Sequence, residues 1–298
     1  MVTTQTLDEL IRRSAQELAE YGIDQPLREV RLLMEAANGI EIKEQLVAPD
    51  KTLNQAQVNS FQKYLRARKN RTPYAYLTNV KEFYGREFYI KNCLIPRPET
   101  ELIVDFIKEN IQERFEGKCN ILDLCTGSGC LGLTVLLELE KQMAIELTMT
   151  DISDQALDTC KVNVKKHCSH NSKIMILKSD LFPNRDFENP QFFDLIVANP
   201  PYIKSGDITG LAPEVAGYEP HLALDGGVEG LDFYFRIAEE IRPFLQKKQS
   251  TVLLMEHGAG QRKAIIKIFE ETDLVIKERI ELNDWQGHDR VLGFVLIR

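Results

Sequence analysis

The chain has 298 residues, 43% apolar and 28% charged, with 37 basic against 45 acidic side chains and a formal net charge of -8. That length allows one large domain or two smaller ones around a sizeable core, and that charge argues against a general binder of phosphate backbones. No apolar run reaches the length of a membrane span, the start "MVTTQTLDELIRRS" lacks a basic-then-apolar secretory pattern, and the six singly placed cysteines read as reduced thiols of a cytoplasmic protein.

The first 70 residues are helical in pattern. Thr6 and Glu9 form a capping box ahead of Leu7, Leu10, Ile11 and Leu18, with Gly22 as a stop. Pro26 suits the first turn of a second helix carrying Leu27, Val30, Leu33, Met34 and Ala37, closed by Gly39. Thr52 and Gln55 predict another capping box before Phe61 and Leu65, and proline ends that helix at "NRTP". Residues 1–73 are expected to form a small helical bundle. Residues 74–95 change character: six aromatics lie between Tyr74 and Tyr89, and "EFYGREFYI" reads as a β-hairpin linker about Gly85. From 96 to 298 helices and strands alternate, with seven strands from "CNILDLC" to "RVLGFVLI". Such alternation predicts an α/β domain with a mostly parallel sheet and helices on both faces, its last two strands antiparallel.

Ligands of such sheets bind at the carboxyl ends of the strands. Three of those ends stand out here. "ILDLCTGSGCLG" places Asp123 before a turn with Gly127, Gly129 and Gly132, and the next two strands end at Asp151 and Asp180. The glycines spell G-x-G-x-x-G, so a dinucleotide dehydrogenase is the first alternative. A carboxylate beside the loop would repel a pyrophosphate and favour a cationic sulfonium with an α-amino group, which points to S-adenosylmethionine instead of NAD.

The fourth strand runs into "NPPY", Asn199 to Tyr202. An amide side chain can both accept and donate, Pro200 and Pro201 have no N–H and so leave carbonyls without a ladder role, and Tyr202 offers a flat face. Together they describe a slot for a planar, weakly nucleophilic –NH₂. Two acceptors would fix its hydrogens, with no strong base required.

"DLCTGSG" followed by "NPPY" resembles the methyltransferases that act on planar amino nitrogens with S-adenosylmethionine. "IPRPETE", "SDLF", "EPHLALDGGVEGLDFY", "EHGAGQ" and "GHDRV" narrow the resemblance to the release factor glutamine methyltransferases, the HemK/PrmC family, over nearly the whole chain. The resemblance implies a Rossmann-like class I methyltransferase domain and transfer of a methyl group to the glutamine amide of the GGQ motif of peptide chain release factors. It implies that Cys125, Thr126, Gly127, Ser128 and Gly129 hold the methionine part of S-adenosylmethionine, Asp151 the ribose, and Asp180 or Leu181 the adenine. Asn199 would touch both cofactor and substrate, and Asn199, Pro200, Pro201 and Tyr202 would hold the glutamine, with Asn199, Pro200 and Tyr202 catalytic. Thr100 and its neighbours would border the cofactor, and residues 1–73 would recognise the substrate. Relatives often carry glycine at Cys125, a change that is harmless if φ there is negative, and an aromatic at Leu181.

Other features have plainer readings. "HCSH" at 167–170 has metal-ligand spacing without a second ligand cluster, so no metal is expected. Cys125 and Cys130 read as two buried thiols. Arg66, Arg68, Lys69 and Arg71 read as a helix end complementing its dipole, with contact to an acidic or RNA-bearing partner as the alternative. Glu256 and His257 fit packing or cofactor-side hydrogen bonding equally. Three other functions share features of the chain: a nucleic-acid adenine methyltransferase, a ribosomal-protein glutamine methyltransferase and a non-enzymatic cofactor-binding scaffold. The acidic balance disfavours a direct nucleic-acid substrate, and the intact "NPPY" disfavours the scaffold.

Overall fold

The computed structural model describes every residue except 1–5, 111–113, 116, 169–171, 185–190 and 248. Five helices open the chain: α1 (Leu7–Glu20), α2 (Pro26–Asn38), α3 (Ile42–Val47), α4 (Gln55–Lys69) and α5 (Tyr74–Thr78). The capping box of α1 is formed as expected, Thr6 and Glu9 each accepting from the other's N–H. α2 starts on Pro26 and closes on Gly39 at φ 67. α4 corrects the sequence reading, because its capping box is Asn54 with Gln57, and Thr52 bridges to Thr6 instead. Both pairs fit the motif. Asn54 places Leu53 before the cap and Val58 in the first turn, and both pack on the helical core as a hydrophobic staple. The short α3 carries no long periodicity; buried Gln45 anchors it by donating to the carbonyls of Arg31 (2.9 Å) and Ile40 (2.8 Å).

The chain divides into two compact units: residues up to Asn79 with a return segment Ala212–Tyr218, and Val80–Leu211 with Glu219–Arg298. The first unit closes on Leu7, Leu10, Ile11, Leu18, Leu33, Met34, Phe61 and Leu65, all fully buried. Three cations of its basic stretch are paired within the unit. Arg68 is buried and donates to Glu29 (2.7 Å) and to Glu214 of the return segment (3.0 Å). Arg71 reaches the same Glu214 (3.2 Å) and Lys69 reaches Glu17 (3.2 Å).

In the second unit β1 (Val80–Phe83) and β2 (Arg86–Tyr89) form an antiparallel hairpin. Then follow α6 (Glu101–Asn110), β3 (Lys118–Leu124), α7 (Cys130–Leu139), β4 (Ala144–Asp151), α8 (Asp154–His167), β5 (Lys173–Lys178) and β6 (Leu195–Ala198). After the helical turn α9 (Pro213–Ala216) of the return segment come α10 (Asp232–Glu240), β7 (Thr251–Glu256), α11 (Arg262–Glu270), β8 (Val275–Asn283) and β9 (Asp289–Ile297). The seven-stranded sheet has the order β5-β4-β3-β6-β7-β9-β8, parallel as far as β7, with the last two strands antiparallel as expected. β6 and β7 are buried at every position, as strands covered on both faces must be. Tyr234, Ile237, Ile265 and Phe269 from α10 and α11 fill one core cluster with them, and Phe269 stacks on Phe294 of β9 with centroids 4.4 Å apart. The order reverses between β3 and β6, which is where open sheets of this kind present a crevice.

Arg68→Ala would leave Glu29 and Glu214 without their shared cation. The carboxylates keep some water, so the expected loss is about 2–3 kcal/mol, below the ~3–5 kcal/mol of a fully buried broken pair. Urea denaturation of the variant beside Glu214→Gln checks this, with the glutamine change costing less.

Candidate active site

A cavity of about 280 Å³ opens at the carboxyl ends of β3, β4, β5 and β6. Of the residues expected there, Cys125, Gly127, Asp151, Asp180, Leu181, Asn199 and Pro201 line it, whereas Thr126, Ser128, Gly129, Pro200, Tyr202 and Thr100 do not. The residues behind the wall form its scaffold. The Thr126 hydroxyl donates to Asp123, and the Ser128 carbonyl accepts from Asn163 of α8 at 2.9 Å. Asn163 is fully buried and also exchanges two hydrogen bonds with the backbone of Tyr89 (2.7 and 2.9 Å), so it ties hairpin and glycine loop together.

Asp123 has a different role from the one expected. Its carboxylate faces away from the cavity and accepts from Thr126 and from the N–H of Gly132 (3.1 Å). A Cβ at Gly132 would lie 2.7 Å from that carboxylate, so the third glycine of the motif is required by close packing of α7 on β3. Burial pushes the Asp123 carboxyl up to about 7 against the hydrogen bonds it accepts. The acids that do line the cavity are Asp151 and Asp180, and Asp151 is the one held at the glycine turn. Its two oxygens accept from the N–H groups of Gly127 and Ser153, each at 2.9 Å, with the Ile152 N–H also bonding the carboxylate, so acceptor capacity remains. Burial raises its pKa, opposed by these N–H groups.

Cys125 has φ 56 and Leu181 has φ 69, so both wall the cavity from the left-handed region. The condition under which cysteine replaces glycine harmlessly is therefore not met. A strain of about 1–2 kcal/mol is held at Cys125.

Asn199 follows β6 directly, and its Nδ2 donates to Thr100 Oγ1 at 3.1 Å. Its Oδ1 is buried and has no hydrogen-bond partner among the described residues. Thr100, expected at the cofactor, lies behind Asn199 and donates to Glu256. Tyr202 also donates its hydroxyl to Glu256 (3.1 Å), and burial with that carboxylate raises its pKa. Glu256 therefore serves the "NPPY" loop. His257 is buried, with Nδ1 2.8 Å from the Gly258 carbonyl and Nε2 unpartnered among the described residues, and burial lowers its pKa.

Two further motifs converge on Tyr202. Gln261 of "EHGAGQ" donates to its carbonyl (2.9 Å) and to that of Gly230 (3.1 Å). A Cβ at Gly230 of "DGGVEG" would lie 2.4 Å from the same Tyr202 oxygen. Sequence reasoning missed Cys93, Leu94, Leu222, Phe233 and Arg236 on the cavity wall. Arg236 pairs with Asp180 at 2.9 Å, which no spacing in the sequence signals. Of the "HCSH" stretch, His167 packs on Phe88 (centroids 4.7 Å apart) with Nε2 2.9 Å from the Glu87 carbonyl, while Ser169 and His170 lie outside the described residues. Among the described residues no cluster of His, Cys, Asp and Glu could hold a metal ion. No helix among them is long and apolar enough to cross a membrane.

Residues 9–78 match the family model of the PrmC N-terminal domain and residues 99–214 that of the methyltransferase small domain. The chain is 33% identical over 290 residues to a release factor glutamine methyltransferase of Caulobacter vibrioides, covering 97% of this chain and 96% of that one. It is 33% identical to that of Geobacter sulfurreducens over 278 residues, covering 93% and 92%. A bifunctional methyltransferase of Rickettsia conorii is 35% identical over 315 residues, covering 97% of this chain, which spans 57% of that relative's length. Among solved structures, the catalytic domain of hMettl16, determined with a MAT2A 3'UTR hairpin, superposes with a TM-score of 0.54 at 14% identity, covering 84% of this chain and 87% of that one. That likeness concerns the fold.

Asp123 makes stability depend on pH. In the native state its carboxyl titrates near 7 against 3.8 for a free aspartate, so between these values the folded chain holds a proton that the unfolded chain has released. The contribution is complete below about pH 4 and is lost as pH rises through about 7. Asp123→Asn keeps an acceptor for Thr126 and Gly132 without the titration. Relative to wild type its unfolding free energy, from urea denaturation, should gain across that window, by up to about 1.4 kcal/mol per pH unit.

Proposed function

This chain belongs to the release factor glutamine methyltransferase family, and we propose that it methylates the side-chain amide nitrogen of the glutamine in the GGQ motif of peptide chain release factors, using S-adenosylmethionine. The observation that carries the reading is Asn199. Asn199 lines the cavity, its amide nitrogen is held by Thr100, and its oxygen is buried without a partner among the described residues. A buried acceptor without a donor is costly, and a ligand N–H would satisfy it.

The cavity fits the cofactor. Asp151 has acceptor positions left for ribose hydroxyls, Leu181 and Phe233 give apolar walls for a flat base, and nothing lies within 4 Å of where a Cβ on Gly127 would stand. When bound, S-adenosylmethionine supplies an electrophilic methyl group on a sulfonium. Asn199 Oδ1 accepts one N–H of the substrate amide, the Pro200 carbonyl accepts the other, and Tyr202 backs the plane. These groups position the nitrogen and stabilise the positive charge it develops, and its proton leaves only once it is cationic, so no general base is needed.

The helical N-terminal unit is assigned to recognition of the factor, a partner that brings positive charge to a chain of net charge -8. No direct nucleic-acid substrate is expected. A cytoplasmic setting accords with six cysteines placed singly along the sequence.

Incubation with labelled S-adenosylmethionine, a release factor, ribosomal protein and tRNA should place the label on the GGQ glutamine; label on ribosomal protein or tRNA instead would overturn the reading. Asn199→Ala should keep cofactor affinity within a few-fold and slow transfer about a hundredfold or more. Asp151→Asn, which keeps one acceptor oxygen, should weaken cofactor binding by about 1.5–3 kcal/mol in calorimetry.

A further inference from the structure

We propose that Thr100 and Glu256 are positioning residues that decide which end of the Asn199 amide faces the substrate, through a chain of hydrogen bonds running in one direction. The proposal rests on the methyltransferase reading above and adds to it two residues that do not line the cavity.

The two ends of an amide have nearly the same shape, so packing alone cannot choose between them. Here the choice is made by donors and acceptors. Glu256 is 1% exposed and its two oxygens accept from different hydroxyls, Oε2 from Thr100 and Oε1 from Tyr202 at 3.1 Å. An ionised carboxylate only accepts. Thr100, itself 2% exposed, has a single hydroxyl proton, and the carboxylate takes it. The Thr100 oxygen is then left as an acceptor, so the Asn199 end that meets it at 3.1 Å must be Nδ2. Oδ1 is thereby the end left over, buried and without a partner among the described residues, and its lone pairs stay available to a substrate N–H. The first and last residues of "NPPY" are joined through one buried carboxylate.

A proton on Glu256 would reverse the chain. The carboxyl would donate to Thr100, Thr100 would donate to Asn199, and the amide would present N–H where an acceptor is required. The groups facing Glu256 are Glu99 from the turn before α6, Tyr202 from the loop after β6, Arg290 from β9 and its neighbour His257, while the Tyr234 hydroxyl of α10 donates to its backbone oxygen at 2.8 Å. Burial, with a smaller push from Glu99, brings the carboxyl up to about 7 against Thr100, Tyr202 and Arg290. Methyl transfer is therefore expected to fall as pH drops below about 7.

The test is a reversal of direction. At pH 8, Asn199→Asp alone should be slowed about a hundredfold, the scale for one lost preorganised group, because it offers an acceptor to an oxygen with no proton to give. Adding Glu256→Gln lets the new amide donate to Thr100 and Thr100 donate to the aspartate, so the double variant should recover tenfold or more. Thr100→Val should lower kcat about a hundredfold, as misplacement does, with cofactor affinity within a few-fold in calorimetry, and Thr100→Ser should restore most of it. As a readout independent of turnover, the Nδ2 protons of Asn199, identified in ¹⁵N spectra by their loss in Asn199→Ala, should move toward solvent-like shifts in Thr100→Val. A double variant as inactive as Asn199→Asp, a Thr100→Val enzyme at the wild-type rate, or unmoved Nδ2 protons would each overturn the proposal. If wild type labels no release factor while the Nδ2 protons respond as stated, the substrate reading fails and the orientation of Asn199 stands.

Discussion

Parallel pairing of β3 with β4 on one side and with β6 on the other is the constraint on which the site depends. Leu124 stands opposite both Thr150 and Ala198, so three strands end in register. The next residues, Cys125, Asp151 and Asn199, are therefore delivered to one edge by strands whose carboxyl-terminal halves are buried and cannot shift without losing ladder and core together. The crossovers that parallel strands require carry the chain away and back, which keeps that edge free for a ligand. The segment after the hairpin and the loop before α10 add Leu94 and Leu222 to the cavity wall.

Two buried carboxylates hold this edge in shape without lining the cavity. Asp123 gathers Thr126 and Gly132 into the glycine turn, and Glu256 gathers Thr100 and Tyr202 behind Asn199. Burying a carboxylate is costly unless donors meet it, and each of these is met by two. In return a buried carboxylate imposes direction, because a group that only accepts dictates where the neighbouring protons point. Asp151 differs in keeping unused acceptor positions on the cavity side.

Much of this was legible in the chain because it is written at short range. The alternation of apolar runs, the Thr6–Glu9 cap, Pro26 and Gly39 depend on neighbours three or four residues apart, and each is formed. The cap of α4 went astray by two residues because Thr52–Gln55 and Asn54–Gln57 satisfy the same local rule, and only packing of Leu53 and Val58 on the core separates them. Asp123 misled for a related reason. A carboxylate beside a glycine loop has the same local sequence whether it faces the ligand or the next helix.

Sequence alone determined the sheet type, the seven strands, the helical N-terminal segment and the loops that line the cavity, since periodicity and turn chemistry are local properties of a chain. It also placed Asn199 at a strand end beside the glycine turn. Tertiary structure decided what each polar group does there. Thr100, Asn199 and Glu256 are separated by 99 and 57 positions, Asp180 and Arg236 by 56, and no periodicity spans such distances. Hydrogen bonds are satisfied in space, so which acids line the cavity, which one holds the loop, and which end of an amide is left free were settled only when the strands packed side by side.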